Sequence, residues 1–67
     1  MSPRRLATMI KAQRKAKGMR RIDLARATKL TPAYITQLET GVRKNPSLAV
    51  LKKLARALGV PVTELLE

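Results

Sequence analysis

The sequence predicts an all-α domain of five short helices. Three observations carry that expectation. Apolar residues recur at helical spacing in successive segments, with no strand-like alternation. Most segments open on Ser, Thr or Pro and close on Gly, the residues that cap and stop helices. The chain has 67 residues and one aromatic side chain, Tyr34, so a single core of Leu, Ile, Val, Met and Ala must hold it. That length makes one domain, residues 1–67. A domain this small buries only ~60% of its unfolded surface, so its stability is modest.

The first helix is expected from Pro3 to about Lys17, with Ser2 as N-cap and Pro3 at the first helical position. Leu6, Met9, Ile10 and Gln13 share its inner spacing, and Gly18 is a natural stop. The second is short, about Arg21–Thr28, with Leu24, Ala25 and Thr28 inward. Leu30 plugs the turn. Thr31 then caps a third helix that begins at Pro32 and ends at Gly41, with Ile35 and Leu38 inward and Ala33, Thr36, Gln37 and Thr40 outward. A polar loop, Val42–Pro46, leads to a fourth helix capped by Ser47. Its apolar stripe is Leu48, Leu51, Leu54, Ala55 and Leu58. After Gly59, Pro61 opens a last short helix to about Leu66.

Charge narrows the function. Fifteen Lys/Arg stand against four Asp/Glu, a net +11, with an isoelectric point near 11.6. Residues 1–53 hold fourteen of the basic residues and only Asp23 and Glu39, so 14 − 2 = +12; residues 54–67 hold Arg56, Glu64 and Glu67, so 1 − 2 = −1. A basic body with a near-neutral apolar tail suggests one surface for a polyanion and another for protein. Cysteine and histidine are absent, which removes disulfides, zinc fingers and histidine catalysis. No cofactor, metal or small-molecule substrate is implied, and no catalytic constellation is visible among four scattered carboxylates. No apolar run approaches the ~20 residues of a membrane span, and the MSPRR start has no apolar signal core, so the expected location is the cytoplasm, on the nucleoid.

Residues 21–40 have the layout of a helix-turn-helix, two short helices locked at a fixed angle, the second of which lies in the DNA major groove. Leu24, Leu30, Ile35 and Leu38 supply the apolar lock, and Ala25 the small residue at the closest approach. The second helix, about 32–40, must present short polar or methyl-bearing side chains at its N-terminal end. Thr31, Pro32, Ala33, Thr36 and Gln37 do so. Gln37 could pair with adenine N6 and N7, while Ala33 and the Pro32 ring could pack on thymine methyls. Tyr34 could pack on a neighbouring helix or donate its hydroxyl to a phosphate.

Several stretches resemble one family: Arg14-Lys15-Ala16-Lys17-Gly18, Leu24-Ala25, Tyr34-Ile35-Thr36-Gln37-Leu38-Glu39-Thr40-Gly41, Asn45-Pro46-Ser47-Leu48, and Leu54-Ala55-Arg56-Ala57-Leu58-Gly59-Val60. In this order and spacing they are similar to the Cro and phage-repressor, or Xre, helix-turn-helix family. The resemblance runs from about Leu6 to Leu66. It implies a compact five-helix, lambda-repressor-like DNA-binding domain that acts as a dimer on an inverted repeat. By the same resemblance, Thr31, Pro32, Ala33, Thr36 and Gln37 match base-reading positions. Arg21 matches a phosphate contact at the start of the second helix. Thr40, Arg43, Lys44 and Asn45 match the loop that grips the backbone. Arg14 and Glu39 match a buried ion pair, of which removing one partner costs ~3–5 kcal/mol. The chain departs from the family in two places. Arg20-Arg21 stands where Ser-Gln is usual, which loses an N-cap but adds positive charge near the phosphates. Lys29 stands where Gly is frequent in the turn; a left-handed lysine there would cost about 1–2 kcal/mol.

Val60, Val62, Leu65 and Leu66 are more apolar residues than a small cap requires, and some are expected to form a twofold interface. The function expected is a sequence-specific double-stranded DNA-binding transcriptional regulator, a homodimer. Half-sites would lie about 34 Å apart. The alternative is an antitoxin that binds a toxin partner and autoregulates its promoter. A charge-driven architectural binder is disfavoured by the uncharged groove face, and a membrane-active helix by the Gly and Pro stops.

Overall fold

Hydroxyl side chains start three of the helices in the computed structural model, which describes residues 2–66. Ser2 Oγ accepts the Arg5 N–H (3.4 Å), Thr31 Oγ1 that of Tyr34 (3.0 Å) and Ser47 Oγ that of Val50 (3.2 Å). They open α1 (Pro3–Ala16), α3 (Pro32–Thr40) and α4 (Leu48–Leu58). Between them lies α2 (Arg21–Thr28), and α5 (Val62–Leu66) follows. Met1 and Glu67, the ends of the expected domain 1–67, lie outside the described residues.

α2 starts differently. Its N-cap, Arg20, has no side-chain acceptor, as the sequence suggested. The missing cap is replaced in part from inside the helix, because Asp23 Oδ2 accepts the Arg20 backbone N–H at 2.8 Å. This is the reverse half of a capping box.

Three helices end alike. The N–H of Met19, Leu30 and Val60 donates to the carbonyl five residues back, on Arg14, Ala25 and Ala55, at 3.1, 2.9 and 3.0 Å. Each of these three apolar residues then packs against the core, which is the hydrophobic contact that accompanies such a closure. The closure requires a left-handed residue just before it. Gly59 supplies it after α4 (φ 69°), but after α2 the residue is Lys29, at φ 59° and ψ 29°. The turn of the helix-turn-helix therefore carries the backbone strain expected of a lysine there.

α3 packs against α1 and α2, while α4 and α5 close the other side against α1 and α2. Ile10, Leu24, Ile35, Leu38, Leu54, Leu58 and Leu65 are fully buried, with Leu6, Ala25, Leu51 and Ala55 nearly so. The sequence placed two residues wrongly relative to this core. Leu48 belongs to the apolar stripe of α4, yet it is 52% exposed because the first turn of α4 overhangs the core; Leu51, one turn on, is buried. Leu65, expected with the interface set, is 1% exposed and packs inside. Pro61 precedes α5, its carbonyl accepting the Glu64 N–H at 3.0 Å, and the helix opens at Val62, one residue later than expected. Pro46, expected only to break the chain, is buried.

Candidate nucleic-acid interface

Burial of Ile35 and Leu38 fixes which side of α3 faces out. Thr31, Pro32 and Ala33 are exposed at its N-terminal end, and Thr36 and Gln37 are partly exposed one turn later. The hydroxyl protons of Thr36 and Thr40 are already placed. Thr36 donates to the Pro32 carbonyl (3.1 Å), and Thr40 to the carbonyls of Thr36 (2.9 Å) and Gln37 (3.3 Å). What these two threonines offer outward is methyl groups and oxygen lone pairs. The face is short, uncharged and rich in methyl groups.

Behind it, one carboxylate ties three helices together. Glu39, at the end of α3, accepts from Arg14 of α1 through Nε (2.6 Å) and Nη2 (3.0 Å), and from Arg21 Nε of α2 at 3.1 Å. Arg14 Nη1 also donates to the Met19 carbonyl at 2.6 Å. The Glu39 side chain is wholly buried and that of Arg14 nearly so, whereas Arg21 is about four-tenths exposed. Burial pushes the Glu39 carboxyl up, but the hydrogen bonds and charges of Arg14 and Arg21 outweigh it and hold it below the usual carboxylate value. The Glu39 hydrogen bond raises Arg14 in turn, against the opposing pull of burial. Among the described residues every buried side-chain N or O has a hydrogen-bond partner. Arg21, expected only as a phosphate contact, is thus anchored through Nε to Glu39.

Arg20 lies where the sequence put it, at the start of α2, but its charge is locally balanced. Its Nε and Nη2 meet Asp23 Oδ2 and Oδ1 at 3.0 and 3.1 Å, and this bond lowers the Asp23 carboxyl. Arg20 and Asp23 thus form a solvent-facing ion pair, a partner not expected for Arg20 from the sequence.

The loop after α3 folds back on the helix. The Arg43 backbone N–H donates to the Gln37 carbonyl at 3.1 Å. Its guanidinium lies over the Tyr34 ring, 4.4 Å from the centroid, and donates through Nε (3.1 Å) and Nη2 (2.9 Å) to Gln37 Oε1. The structure thus brings Tyr34, Gln37 and Arg43 into one cluster, which the sequence had split between base reading and backbone grip. Beside it, Gln37, Val42, Arg43, Lys44 and Asn45 line an open groove of about 480 Å³. Val42 is 69% exposed there and was not anticipated as part of the site.

The tail set lies elsewhere. α5 packs mainly on α4 and α1; Leu66 is 40% exposed, and Val60 and Val62 lean partly on the core. Among the described residues no group of His, Cys, Asp and Glu could hold a metal ion, and no helix is long and apolar enough to cross a membrane.

Comparison with known proteins agrees with this geometry. The helix-turn-helix family model HTH_3 matches residues 10–65. The HTH-type transcriptional regulator DdrOP3 of Deinococcus deserti is 38% identical over 63 residues, which are 94% of this chain and 48% of DdrOP3. SlrR of Bacillus subtilis, also an HTH-type transcriptional regulator, is 36% identical over 62 residues, 92% of this chain and 41% of its own. The chain spans about half the length of these curated relatives. Among solved structures, the biofilm master regulator SinR of Bacillus subtilis, in complex with DNA, superposes with a TM-score of 0.88 at 32% identity, covering 92% of this chain and 98% of the other. The restriction-modification controller C.AhdI of Aeromonas hydrophila gives 0.88 at 33% identity, with 94% of each chain covered.

Proposed function

The chain belongs to the HTH_3 helix-turn-helix family, and we propose that it is a sequence-specific double-stranded DNA-binding transcriptional regulator acting as a homodimer in the cytoplasm. One observation carries this reading: an uncharged outward face of α3 set in a segment, residues 1–53, of net charge +12. Charge supplies affinity for the phosphate backbone without regard to sequence, whereas base edges are read by short polar and methyl groups. This chain keeps the two apart. Thr31, Pro32, Ala33, Thr36 and Gln37 face base edges, with Pro32 and Ala33 against thymine methyls. Thr40, Lys44, Asn45 and the terminal nitrogens of Arg21 meet phosphates. The SinR–DNA complex, on the same fold, supports DNA as the ligand.

The twofold partner would be a second copy. Leu66, together with the half-buried Val60 and Val62, is the apolar set available for it in the near-neutral part of the chain. Two half-sites would then lie about 34 Å apart.

The test is selection of binding sites from a random duplex library at near-physiological salt, with sedimentation of the protein alone. An inverted repeat with half-centres about one helical turn apart, and a dimer in solution, is the expected result. Salt-sensitive binding with no enriched motif would sink the sequence-specific reading and leave a charge-driven binder or an antitoxin that needs its toxin partner.

A further inference from the structure

On the reading that α3 enters the major groove, the Tyr34–Gln37–Arg43 cluster decides which base Gln37 accepts. A glutamine reads adenine with both halves of its amide, Oε1 accepting from N6 and Nε2 donating to N7. Here Oε1 is not available. Its two lone pairs are met by two N–H groups of Arg43, at 3.1 and 2.9 Å. The guanidinium is not a loose donor that a base would displace at no cost. It is stacked over Tyr34 at 4.4 Å, and its own backbone N–H is bound to the Gln37 carbonyl. Tyr34 and Gln37 sit three residues apart on α3, so one helix face holds the ring and the amide on which the guanidinium rests.

We propose that Arg43 is a positioning residue that seals Gln37 Oε1 and turns Nε2 outward, so that the pair presents donors only and selects guanine. Guanine offers two adjacent acceptors, N7 and O6, in the major groove, whereas adenine offers one acceptor beside a donor. A donor-only amide next to a guanidinium matches the first edge and meets the adenine N6 amino group donor to donor. Arg43 thereby acts on specificity through Gln37, beyond any contact of its own with a phosphate.

The experiment is random-duplex selection with the full chain, run in parallel on the wild type, Gln37→Ala and Arg43→Met, which keeps an apolar stem over Tyr34 without the donors. Far-UV circular dichroism and thermal unfolding establish that each variant is folded. The wild-type motif should carry guanine, preferred over adenine by about tenfold, at one position per half-site. Gln37→Ala should flatten that position alone. Arg43→Met should move that same position toward adenine and leave the others unchanged, an effect that a phosphate clamp or a structural prop would not produce. Adenine at the Gln37-dependent position in the wild type would overturn the inference. So would an Arg43→Met motif identical to the wild type with uniformly weaker binding. In both cases the DNA-reading function stands, because a motif has been found. A wild-type pool without any motif would remove that function and this inference together.

Discussion

Replacing Glu39 by Leu should be among the most damaging single changes in the chain, and the structure says where the damage arises. The carboxylate accepts three N–H bonds, two from Arg14 and one from Arg21. Arg21 is partly exposed and water can take over its Nε, so that loss is discounted to a few tenths of a kcal/mol. Arg14 has a side chain only 9% exposed and would keep a single partner, the Met19 carbonyl. Leaving such a charge buried and largely uncompensated costs about 3–5 kcal/mol. A domain of this length has a total stability of roughly 3–10 kcal/mol, so the variant stands near its unfolding threshold. With ~4–8 °C per kcal/mol in a small domain, the melting temperature should fall by about 12 °C or more. The charge, not the lost contacts, is the cause, and this has a sharper consequence. Arg14→Met alone should also destabilise, since Glu39 then keeps only Arg21. The double variant Arg14→Met/Glu39→Leu should return to within about 1 kcal/mol of the wild type, because an apolar pair of similar volume has no desolvation penalty to offset. Urea unfolding followed by circular dichroism of all four proteins closes the cycle. A double variant as unstable as the sum of the singles would refute the reasoning.

Acid should unfold the protein through the same residue. Folding lowers the Glu39 pKa, so its contribution is complete above the usual value of 4.5 and drains away as pH falls through the depressed folded value; the Arg14→Met/Glu39→Leu variant should show a shallower acid limb in a pH series of unfolding curves. Lys29→Gly should stabilise the domain by about 0.5–1 kcal/mol in urea, the left-handed strain of ~1–2 kcal/mol less the extra backbone entropy of glycine. Leu38→Ala should cost about 2–5 kcal/mol, whereas Leu48→Ala, at the overhanging end of α4, should stay within about 1 kcal/mol; equal losses would mean that Leu48 is covered in solution. Asp23→Asn should release Arg20 from its neutral pair, and the log–log salt slope of DNA binding should steepen by about 0.9 per protomer if the start of α2 lies on phosphates. An unchanged slope would place Arg20 away from the DNA.

Local chemistry explains which parts of the structure could be foreseen. Ser2, Thr31 and Ser47 announce helix starts because capping is a contact between residues three apart, and sequence order alone sets it. The strained Lys29 was legible for the same reason: a helix stop with no glycine must put another residue in the left-handed region. Asp23 lies within the same local range, since an acid at the third helical position can accept the N-cap N–H, even though Arg20 itself offers no acceptor. The Arg43–Gln37 contact was not. It depends on how the loop leaves Gly41 and returns the Arg43 N–H to the Gln37 carbonyl, a path no periodicity encodes. The burial of Leu65 beside an exposed Leu66 was hidden by length. A five-residue helix has too few turns for an apolar repeat to define its phase, so only contact with α4 and α1 decides which leucine goes in.

The distribution of carboxylates organises the rest. Residues 1–53 contain two, and both are engaged by arginines at the helix-turn-helix: Asp23 neutralises Arg20, and Glu39 binds Arg14 and Arg21. One buried anion shared by two cations leaves that cluster net positive while fixing α1, α2 and α3 around it. The cluster is therefore both a structural joint and a fixed source of positive potential behind α3. Arg43 lies on the opposite flank, its charge held against Tyr34 and an amide oxygen rather than a carboxylate. The α3 face between them carries no charge of its own. An uncharged strip flanked by immobilised positive charge would draw in a polyanion through its flanks and leave discrimination to the strip itself, where Arg43 already holds Gln37 Oε1 and so limits what that amide offers a base edge.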